Sequence, residues 1–586
     1  MKSSFYILLS LLFILFSIQS NAQAPYWNWA STAGGTNSDR ANAMTYTHDG
    51  NLLVTGFFQD TVIFESTTLG VIGFGLFIAK YNLNGNLIWA KKVASASYGI
   101  EPQKIFEDST GNIIITGYFG DIIDGGNISF TSSTDSFTSY GSRDIFIAKF
   151  DINAIFIWAN NIGAIEDEKI ASCITDETII IQGSRFSQLI TTTANSSDTL
   201  SNDFTWHVWS AIYNTSGQLQ FLSDLIKNTS QVVPIGISAD EQQNFYFSGN
   251  YYGKPIIGTL PDTAQLSNAG GLTNIYLIKF HWDSVEIQRV WWQFIGGTGN
   301  DYLHGADVNG TNEILLTGTY ANSGYFGNDS GSIVLNSVNP GNENFICTYQ
   351  SNGNLIFAKN SGYNISGSIT STQIIHDDSL IYLCGKYSGI NSPVFGEGAD
   401  TFSSLPAKNF FVAAYTDSGV LHWVRGSLSS FIDGLNAITL DDSGHVYTAG
   451  YYTLYCVIDT GETDSLYIPS AGVDDIYMGR LGYKITIEDT VIIDTTFVQN
   501  FIESNSLFAY PNPASNYLNI DLNNSFRQSS IEIYSINGKI IFNENLSADT
   551  KRIFLNTSNL MSGNYIIRIK TPYKMLTGKF TVIREE

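Results

Sequence analysis

The chain has 586 residues, 53 of them acidic and 29 basic, so its net charge at pH 7 is −24. This charge argues against a nucleic-acid partner, because phosphate backbones are bound through Lys- and Arg-rich surfaces. Charged residues make up only 14%, whereas Gly (53), Tyr (32) and Phe (37) are abundant. Aromatic residues favour strands and glycine favours turns. The composition therefore predicts an all-β protein and argues against a helical bundle, a coiled coil or a disordered chain.

Residues 1–22 have the pattern of a Sec signal peptide. Lys2 gives a positively charged start, residues 5–18 are apolar apart from two serines, and Ser20 and Ala22 fit the small-residue rule for cleavage. The apolar stretch is shorter than the roughly 20 residues that a membrane-spanning helix needs. An uncleaved membrane anchor is the alternative. No later stretch approaches spanning length, so we expect the mature chain to have no transmembrane anchor.

A β-rich run that ends in glycine recurs seven times, and successive copies lie 61 to 69 residues apart. Two further runs follow in step, one like FIAK at residues 76–81 and one like WA at residues 87–90. Each repeat therefore offers four β-segments, and a single sheet of this size cannot bury both of its faces alone. The marker glycines are Gly56, Gly117, Gly183, Gly249, Gly318, Gly385 and Gly450.

The seventh repeat has no WA-like run, but a matching run occurs at residues 26–30. We therefore expect the start of the mature chain to supply the fourth strand of the last repeat and to close a ring. An open solenoid gives no reason for a lone outer strand at one end. The predicted fold is a seven-bladed β-propeller over residues 25–483, closed by this N-terminal strand. An open β-solenoid and a row of separate sandwiches are the alternatives.

The repeats resemble those of the bacterial seven-bladed β-propeller repeat family. The shared marks are Trp-Ala, Gly-Gly, a Gly-Asn turn, Thr-Gly before an aromatic residue and Phe-Ile-Ala-Lys, and they are clearest in residues 27–160. The resemblance implies the fold but no activity, because propellers serve as enzymes, binders and scaffolds alike.

The repeat pattern stops after residue 483. Residues 484–506 are acidic and rich in Thr and Ile, which predicts a linker. Residues 507–586 hold at least five short alternating runs and the hairpin signal Asn537-Gly538. They therefore predict a small antiparallel β-sandwich.

This last segment resembles the type A C-terminal sorting domain of type IX secretion, which implies an Ig-like sandwich. The family marks are YPNPASN at residues 510–516, IYSINGK at 533–539, and SG-x-Y followed by the terminal KFTV. The resemblance implies Sec export, the type IX secretion machinery as a partner, and release or attachment at the outer-membrane surface. If these residues do not carry the sorting signal, they only hold the sandwich together. The residues assigned to the signal are Tyr510, Pro511, Asn512, Pro513, Gly538, Gly563, Tyr565 and Lys579.

No catalytic or cofactor motif occurs, since the sequence has no HExxH, G-x-S-x-G, P-loop or dinucleotide fingerprint. We therefore assign no catalytic residue and no cofactor. Acidic turns are weak candidates for calcium, although they lack the alternating ligands of an EF-hand loop and fit ordinary turns. These candidates are Asp377, Asp378, Asp441 and Asp442.

Gly-Gly followed by Asp recurs where one repeat hands over to the next, which makes that rim the natural binding face of a propeller. The carboxylates that we expect there are Asp39, Asp167 and Asp301, with capping of the turns as the alternative. We predict an exported binding or adhesion module, secreted or at the cell surface, for an extracellular glycan or a surface protein. The alternative is a secreted polysaccharide-active enzyme whose carboxylates come from different repeats.

Overall fold

The structure of the chain is a computed structural model that divides into two compact units, Met1–Thr486 and Ile487–Glu586. The predicted signal peptide and the predicted linker lie outside the residues that it describes. Strands and turns make up both units, and no helix occurs in the described ranges, which confirms the prediction of an all-β chain. The described residues are 25–165, 169–175, 178–192, 197–228, 230–240, 242–258, 263–267, 272–328, 331–337, 342–365, 367–377, 379–389, 393–396, 409–427, 434–458, 466–482, 508–510, 517–521, 529–535, 540–546, 552–558, 560, 562–570 and 575–582.

The N-terminal unit begins with β1 (Tyr26–Gly34) and continues in repeats of four antiparallel strands that pair in chain order. Repeat 1 is β2 (Asp39–Tyr46), β3 (Leu52–Phe64), β4 (Thr67–Tyr81) and β5 (Leu87–Ala96). Repeat 2 is β6 (Ile100–Glu107), β7 (Ile113–Phe119), the inserted hairpin β8 (Asn127–Phe130) and β9 (Ser136–Thr138), β10 (Asp144–Phe150) and β11 (Phe156–Gly163). Repeat 3 is β12 (Ile170–Ile174), β13 (Thr178–Arg185), the hairpin β14 (Leu189–Thr192) and β15 (Ser197–Leu200), β16 (Trp206–Asn214) and β17 (Leu219–Asn228).

The same plan continues through the next three repeats. Repeat 4 is β18 (Val232–Ala239), β19 (Asn244–Tyr252), the hairpin β20 (Ile256–Ile257) and β21 (Ala264–Gln265), β22 (Thr273–Trp282) and β23 (Ile287–Gly297). Repeat 5 is β24 (Tyr302–Val308), β25 (Ile314–Ala321), the hairpin β26 (Ser323–Asn328) and β27 (Gly331–Asn336), β28 (Asn342–Tyr349) and β29 (Leu355–Tyr363). Repeat 6 is β30 (Ser368–His376), β31 (Leu380–Ser388), the short inserted β32 (Val394–Phe395), β33 (Asn409–Thr416) and β34 (Leu421–Gly426).

Repeat 7 takes its fourth strand from the start of the chain. Its own strands are β35 (Gly434–Leu440), β36 (Val446–Ile458) and β37 (Leu466–Gly482). β1 pairs antiparallel with β37, from Tyr26 opposite Gly482 to Ala33 opposite Ile476. The WA-like run at residues 26–30 therefore lies beside the last repeat, where its sequence pattern places it.

The inserted strands connect each repeat to the one before it. β8, β14, β20, β26 and β32 pair antiparallel with the fourth strands β5, β11, β17, β23 and β29 of the preceding repeats. The long β3 of repeat 1 pairs in the same way with β1. In the described residues, the insertions of repeats 2 to 5 thus form hydrogen-bonded hairpins, and repeat 6 contributes the single strand β32.

Among the described residues of the N-terminal unit, seven hydrophobic clusters each lie between two successive repeats. Six of them join repeats 1 to 7 in order. The seventh contains Ala41 and Val54 of repeat 1 together with Tyr447 and Ile476 of repeat 7. The core is therefore continuous from the last repeat to the first.

A tryptophan of the fourth strand fixes the contact between several neighbouring repeats. Its indole lies on the turn between the third and fourth strands of the next repeat, and that turn contains a glycine with positive φ. At Gly85, where φ is +80°, an added Cβ would lie 2.7 Å from the ring of Trp29. The indole Nε1 groups of Trp29, Trp158 and Trp291 donate to the carbonyl oxygens of Leu83, Thr215 and Ser351 over 3.0, 3.3 and 3.0 Å.

The C-terminal unit contains two antiparallel sheets. One is β38 (Phe508–Tyr510), β39 (Tyr517–Asp521) and β42 (Arg552–Asn556), and the other is β40 (Ser529–Ser535), β41 (Ile540–Leu546), β43 (Gly563–Lys570) and β44 (Met575–Val582). One cluster of buried side chains from both sheets forms its core, including Leu518, Ile533 and Ile567.

Candidate functional site

A cavity of about 670 Å³ lies among the first strands of the seven repeats. Its lining includes residues from all of them, namely from β2, β6, β12, β18, β24, β30 and β35. Side chains of several second strands complete the wall. This volume is in the range of roughly 300–1,000 Å³ that is typical of pockets for small ligands.

Six of the seven first strands carry a β-bulge at the same position, directly after the residue that pairs with the marker glycine. Only repeat 3 continues without a register shift at this level among the described strands. A bulge leaves one residue unpaired and turns its side chain away from the regular alternation. All six of these residues line the cavity, and they are Asn42, Gln103, Ile235, His304, Thr372 and Asn436.

The marker glycines are explained by close backbone contact at this level. An added Cβ at Gly56 would lie 1.9 Å from the carbonyl oxygen of Arg40 and 2.8 Å from the ring of Phe77. Gly318 and Gly450 face the carbonyl oxygens of their first strands at 2.1 and 1.9 Å. No side chain fits there, so the repeated glycine is a packing requirement of the bulged strand pair.

The bulged residues connect neighbouring first strands. Thr372 Oγ1 donates to the carbonyl oxygen of Leu435 over 2.6 Å, and Asn436 Nδ2 donates to that of Ala41 over 2.9 Å. Repeats 6, 7 and 1 are therefore linked in sequence around the cavity. In contrast, the side-chain oxygen Oδ1 of Asn42 is buried without a hydrogen-bond partner.

His304 is the histidine of the cavity wall. Its Nε2 lies 3.2 Å from Thr319 Oγ1. Burial lowers the pKa of His304 to about 4, so the imidazole is neutral at neutral pH. It can exchange a hydrogen bond with a ligand but contributes no charge.

Asp39 and Asp301, two of the expected rim carboxylates, are buried caps of the Gly-Gly turns. Asp39 Oδ2 accepts from Gly35 N over 2.6 Å, and Asp301 Oδ2 accepts from Gly297 N over 2.6 Å. Burial raises the pKa of both carboxyl groups to about 7. Neither residue lines the cavity, and Asp167 lies outside the described residues.

The calcium candidate Asp441 uses both of its oxygens inside its own turn. Oδ1 accepts from the backbone N of Ser443 and His445 over 2.9 and 3.0 Å, and Oδ2 accepts from Tyr447 OH over 2.9 Å. These hydrogen bonds lower the pKa of Asp441 against the opposing effect of burial. Its neighbour Asp442 is exposed.

Asp377 has the same arrangement. Oδ1 accepts from Ser379 N and Leu380 N over 2.8 and 2.7 Å, and Oδ2 accepts from Tyr382 OH over 2.7 Å. Asp378 lies outside the described residues. In the part of the chain that the structure describes, no three His, Cys, Asp or Glu side chains are grouped so that they could hold a metal ion.

The residues assigned to the sorting signal are divided between described and undescribed parts of the C-terminal unit. Tyr510 lies on β38, Gly563 and Tyr565 lie on β43, and Lys579 lies on β44. Tyr565 is buried and stacks on Phe580 with ring centroids 5.2 Å apart. Pro511, Asn512, Pro513 and Gly538 lie outside the described residues.

Residues 509–583 match the family described as the secretion system C-terminal sorting domain. The chain therefore carries a sorting domain at its C-terminus, as its sequence pattern predicts. This domain indicates export by the type IX machinery to the cell surface or the extracellular space. Within the described ranges, the structure contains no helix with the length and apolar character needed to cross a membrane.

The chain has a distant curated relative, an uncharacterized WD repeat-containing protein, L264, of Acanthamoeba polyphaga mimivirus. The two are 24% identical over 512 residues, which cover 72% of this chain and 36% of the relative. The chain thus spans about a third of that relative's length. The strand-rich structure and this relative together fit a β-propeller repeat protein.

Two solved structures also match the chain, both at low similarity. A protein of unknown function from Dyadobacter fermentans is 9% identical, with 79% of this chain and 100% of that chain covered and a TM-score of 0.35. A rhamnogalacturonan lyase of Bacillus licheniformis is 10% identical, with 94% of this chain and 91% of that chain covered and a TM-score of 0.23.

Proposed function

We propose that the seven repeats form a closed seven-bladed β-propeller that is exported and binds an extracellular glycan or a surface protein in its central cavity. The observation that carries this proposal is that all seven first strands line one cavity. A ligand-sized space walled by every repeat is the expected result of a ring and not of an open row of sheets.

Two contacts between the last repeat and the first support closure. The cluster around Ala41 and Tyr447 joins repeats 1 and 7. The indole N–H of Trp29 on β1 donates to the carbonyl oxygen of Leu83 in repeat 1, just as the indole N–H of Trp158 donates to the corresponding turn of repeat 3. The relative with WD repeats adds support, since such repeats fold as four-stranded propeller blades.

The wall of the cavity favours binding over glycoside hydrolysis. Glycoside hydrolases generally use two carboxyl groups about 5–10 Å apart. Among the described residues that line the cavity, Glu101 is the one carboxylate, and Arg143 lies 3.3 Å from it. The other charged lining residues are cationic, and the bulged positions offer amides and hydroxyls.

The export proposal adds that the C-terminal unit is the part recognised by the type IX machinery. A chain that ends before residue 509 should remain in the periplasm, whereas the full chain should reach the medium or the cell surface. Cell fractionation followed by immunoblotting distinguishes these outcomes. Equal secretion of both forms would contradict the proposal.

The binding proposal is tested with the purified full chain on a glycan array and by co-purification of surface proteins, with calcium and with chelator. Asn42→Trp, which fills the cavity, should abolish binding, whereas Ile72→Trp at a fully exposed position should not. Loss of binding in chelator would support calcium at the acidic turns. Binding that survives cavity filling, or no ligand in either screen, would overturn the proposal.

A further inference from the structure

The charges around the cavity differ in sign from those of the chain as a whole. The chain has a net charge of −24. The described residues of the cavity wall include four cationic side chains and one anionic side chain, a local excess of three positive charges. These residues are Arg40, Lys104, Lys169, Lys386 and Glu101. A cavity of opposite sign to its protein attracts anions into one place.

Two of these charges are neutralised inside the protein. Arg40 pairs with Asp474 at 2.5 Å and stacks over the ring of Tyr451 at 4.2 Å. Glu101 pairs with Arg143 at 3.3 Å. These pairs position the wall and leave little charge for a ligand.

Lys104 and Lys386 have no such pair. No carboxylate of the described residues lies within 4.0 Å of either ammonium group, in contrast to Lys149, whose Nζ lies 2.8 Å from Asp108. Burial lowers the pKa of Lys104, and the more distant Asp307 opposes this effect. The Lys104 ammonium is partly buried without a carboxylate partner, which costs free energy that a bound anion recovers, whereas Lys386 is exposed and adds a solvated positive charge to the cavity wall.

The two lysines lie at different levels of the wall. Lys386 lies opposite Thr370, one pair before the level of the marker glycine. Lys104 lies opposite Thr116, directly after the bulge. Lys104 is on the first strand of repeat 2 and Lys386 is on the second strand of repeat 6, so the two ammonium groups reach the cavity from different repeats. Ammonium groups placed in this way suit negative charges that are spaced along a ligand.

The rest of the wall suits a polyhydroxylated ligand. Asn42, at a bulge, places an amide in the wall. Gln103 adds an amide, and Tyr118 and Tyr451 add aromatic rings. A cavity of about 670 Å³ is much larger than an inorganic anion.

We propose that the cavity binds an acidic oligosaccharide whose carboxylates pair with Lys104 and Lys386. This inference rests on the proposed binding function and names its substrate class. The ligand hydroxyls reach the amides at the bulges, and the neutral His304 adds one more hydrogen-bonding group.

The test is calorimetric titration of the full chain with uronic-acid tetrasaccharides, using galacturonate, glucuronate and mannuronate series. Each probe is paired with its methyl ester, which has the same shape and no charge. We expect the acids to bind at least about tenfold more tightly than the esters, and less tightly as salt rises. Lys104→Gln and Lys386→Gln should each weaken binding roughly tenfold, because each removes a charge-assisted hydrogen bond. Lys254→Gln, at an exposed lysine outside the wall, should change nothing.

Equal binding of acid and ester would overturn this inference and leave the proposed binding function standing. No binding of any uronate, with another glycan or a protein captured, would overturn it in the same way. If neither a glycan nor a protein binds in any screen, both this inference and the proposed binding function are overturned. Displacement of the tetrasaccharide by sodium sulfate at equal concentration would assign the site to small anions instead. A melting temperature for each variant equal to that of the unchanged chain shows that a loss of binding is not a loss of folding.

Discussion

Replacing Trp27 by alanine should destabilise the N-terminal unit, because this side chain anchors the strand that starts the chain. Trp27 lies on β1 and is 1% exposed. Its ring contacts Tyr477 of repeat 7 and Phe410 of repeat 6 edge-on, with centroids 5.8 Å apart in both cases. The substitution therefore empties a space shared by three strands.

The expected size follows from the volume removed. A buried Trp→Ala change costs about 3–5 kcal/mol. Unfolding entropy is roughly 2.1 cal/mol/K per residue, or about 1 kcal/mol/K for a unit of some 460 residues. The melting temperature should therefore fall by about 3–5 °C. Trp27→Phe should cost at most about 1.5 kcal/mol, since it keeps an aromatic ring and removes an indole N–H that has no hydrogen-bond partner.

Differential scanning calorimetry of the full chain measures these shifts. Trp292→Ala is the matched control, because Trp292 lies on a fourth strand but is 39% exposed. Its effect should be within about 1 °C. Equal shifts for Trp27→Ala and Trp292→Ala would refute the reasoning that β1 is packed into the last repeat.

Three further changes test other parts of the account. Gly85→Ala should lower the melting temperature more than Gly50→Ala, because the two glycines have similar φ of +80° and +75° but only an added Cβ at Gly85 meets an indole, at 2.7 Å. Equal losses in thermal melts of the two variants would contradict the importance of that contact. Burial raises the pKa of Asp301 to about 7 from the 3.8 of the unfolded chain, so the free energy of unfolding should fall as pH rises from about 4 to 7. Asp301→Asn should flatten this pH dependence in a series of denaturant titrations, and an unchanged dependence would contradict the raised pKa. Lys149→Met, which leaves a buried carboxylate unpaired, should cost about 3–5 kcal/mol in urea unfolding, whereas Lys227→Met at an exposed ion pair should cost less than about 1 kcal/mol, and similar costs would mean that the first pair is not buried.

The sequence predicted those parts of the fold in which one close contact recurs in most repeats. Gly56 and five of its six equivalents are visible because a carbonyl oxygen excludes any side chain there, and at Gly183 the ring of Trp209 does so. Trp29 and Gly85 are visible because the same contact of an indole with a turn of positive φ recurs between Trp158 and Gly217 and between Trp291 and Gly353. The sorting domain was visible for the same reason, as a set of fixed residues in fixed order, and the family match confirms it.

The cavity could not be predicted in this way. Its wall is built from first strands, whose side chains differ between repeats and carry no common motif. The bulges are set by hydrogen-bond register, which the sequence does not display. No sequence motif therefore marked Lys104 and Lys386 as residues of the cavity wall.

The expected rim carboxylates illustrate the opposite case. Asp39 and Asp301 recur for a reason that the sequence could not separate from ligand binding, since a carboxylate that caps a Gly-Gly turn and one that faces a ligand have the same spacing. The inserted strands were also hidden, because each pairs with the preceding repeat through only two or three residues.

The central claim is that the start of the chain closes the ring by pairing with the last repeat. Ser31 lies directly opposite Met478 across β1 and β37. Facing residues of antiparallel strands are close enough for a disulfide. Ser31→Cys with Met478→Cys should therefore form a disulfide on mild oxidation, seen by peptide mass mapping. Ala30→Cys with Met478→Cys, which places the thiols on opposite faces of the sheet, should not. Absence of the first crosslink, or equal formation of both, would contradict the closure.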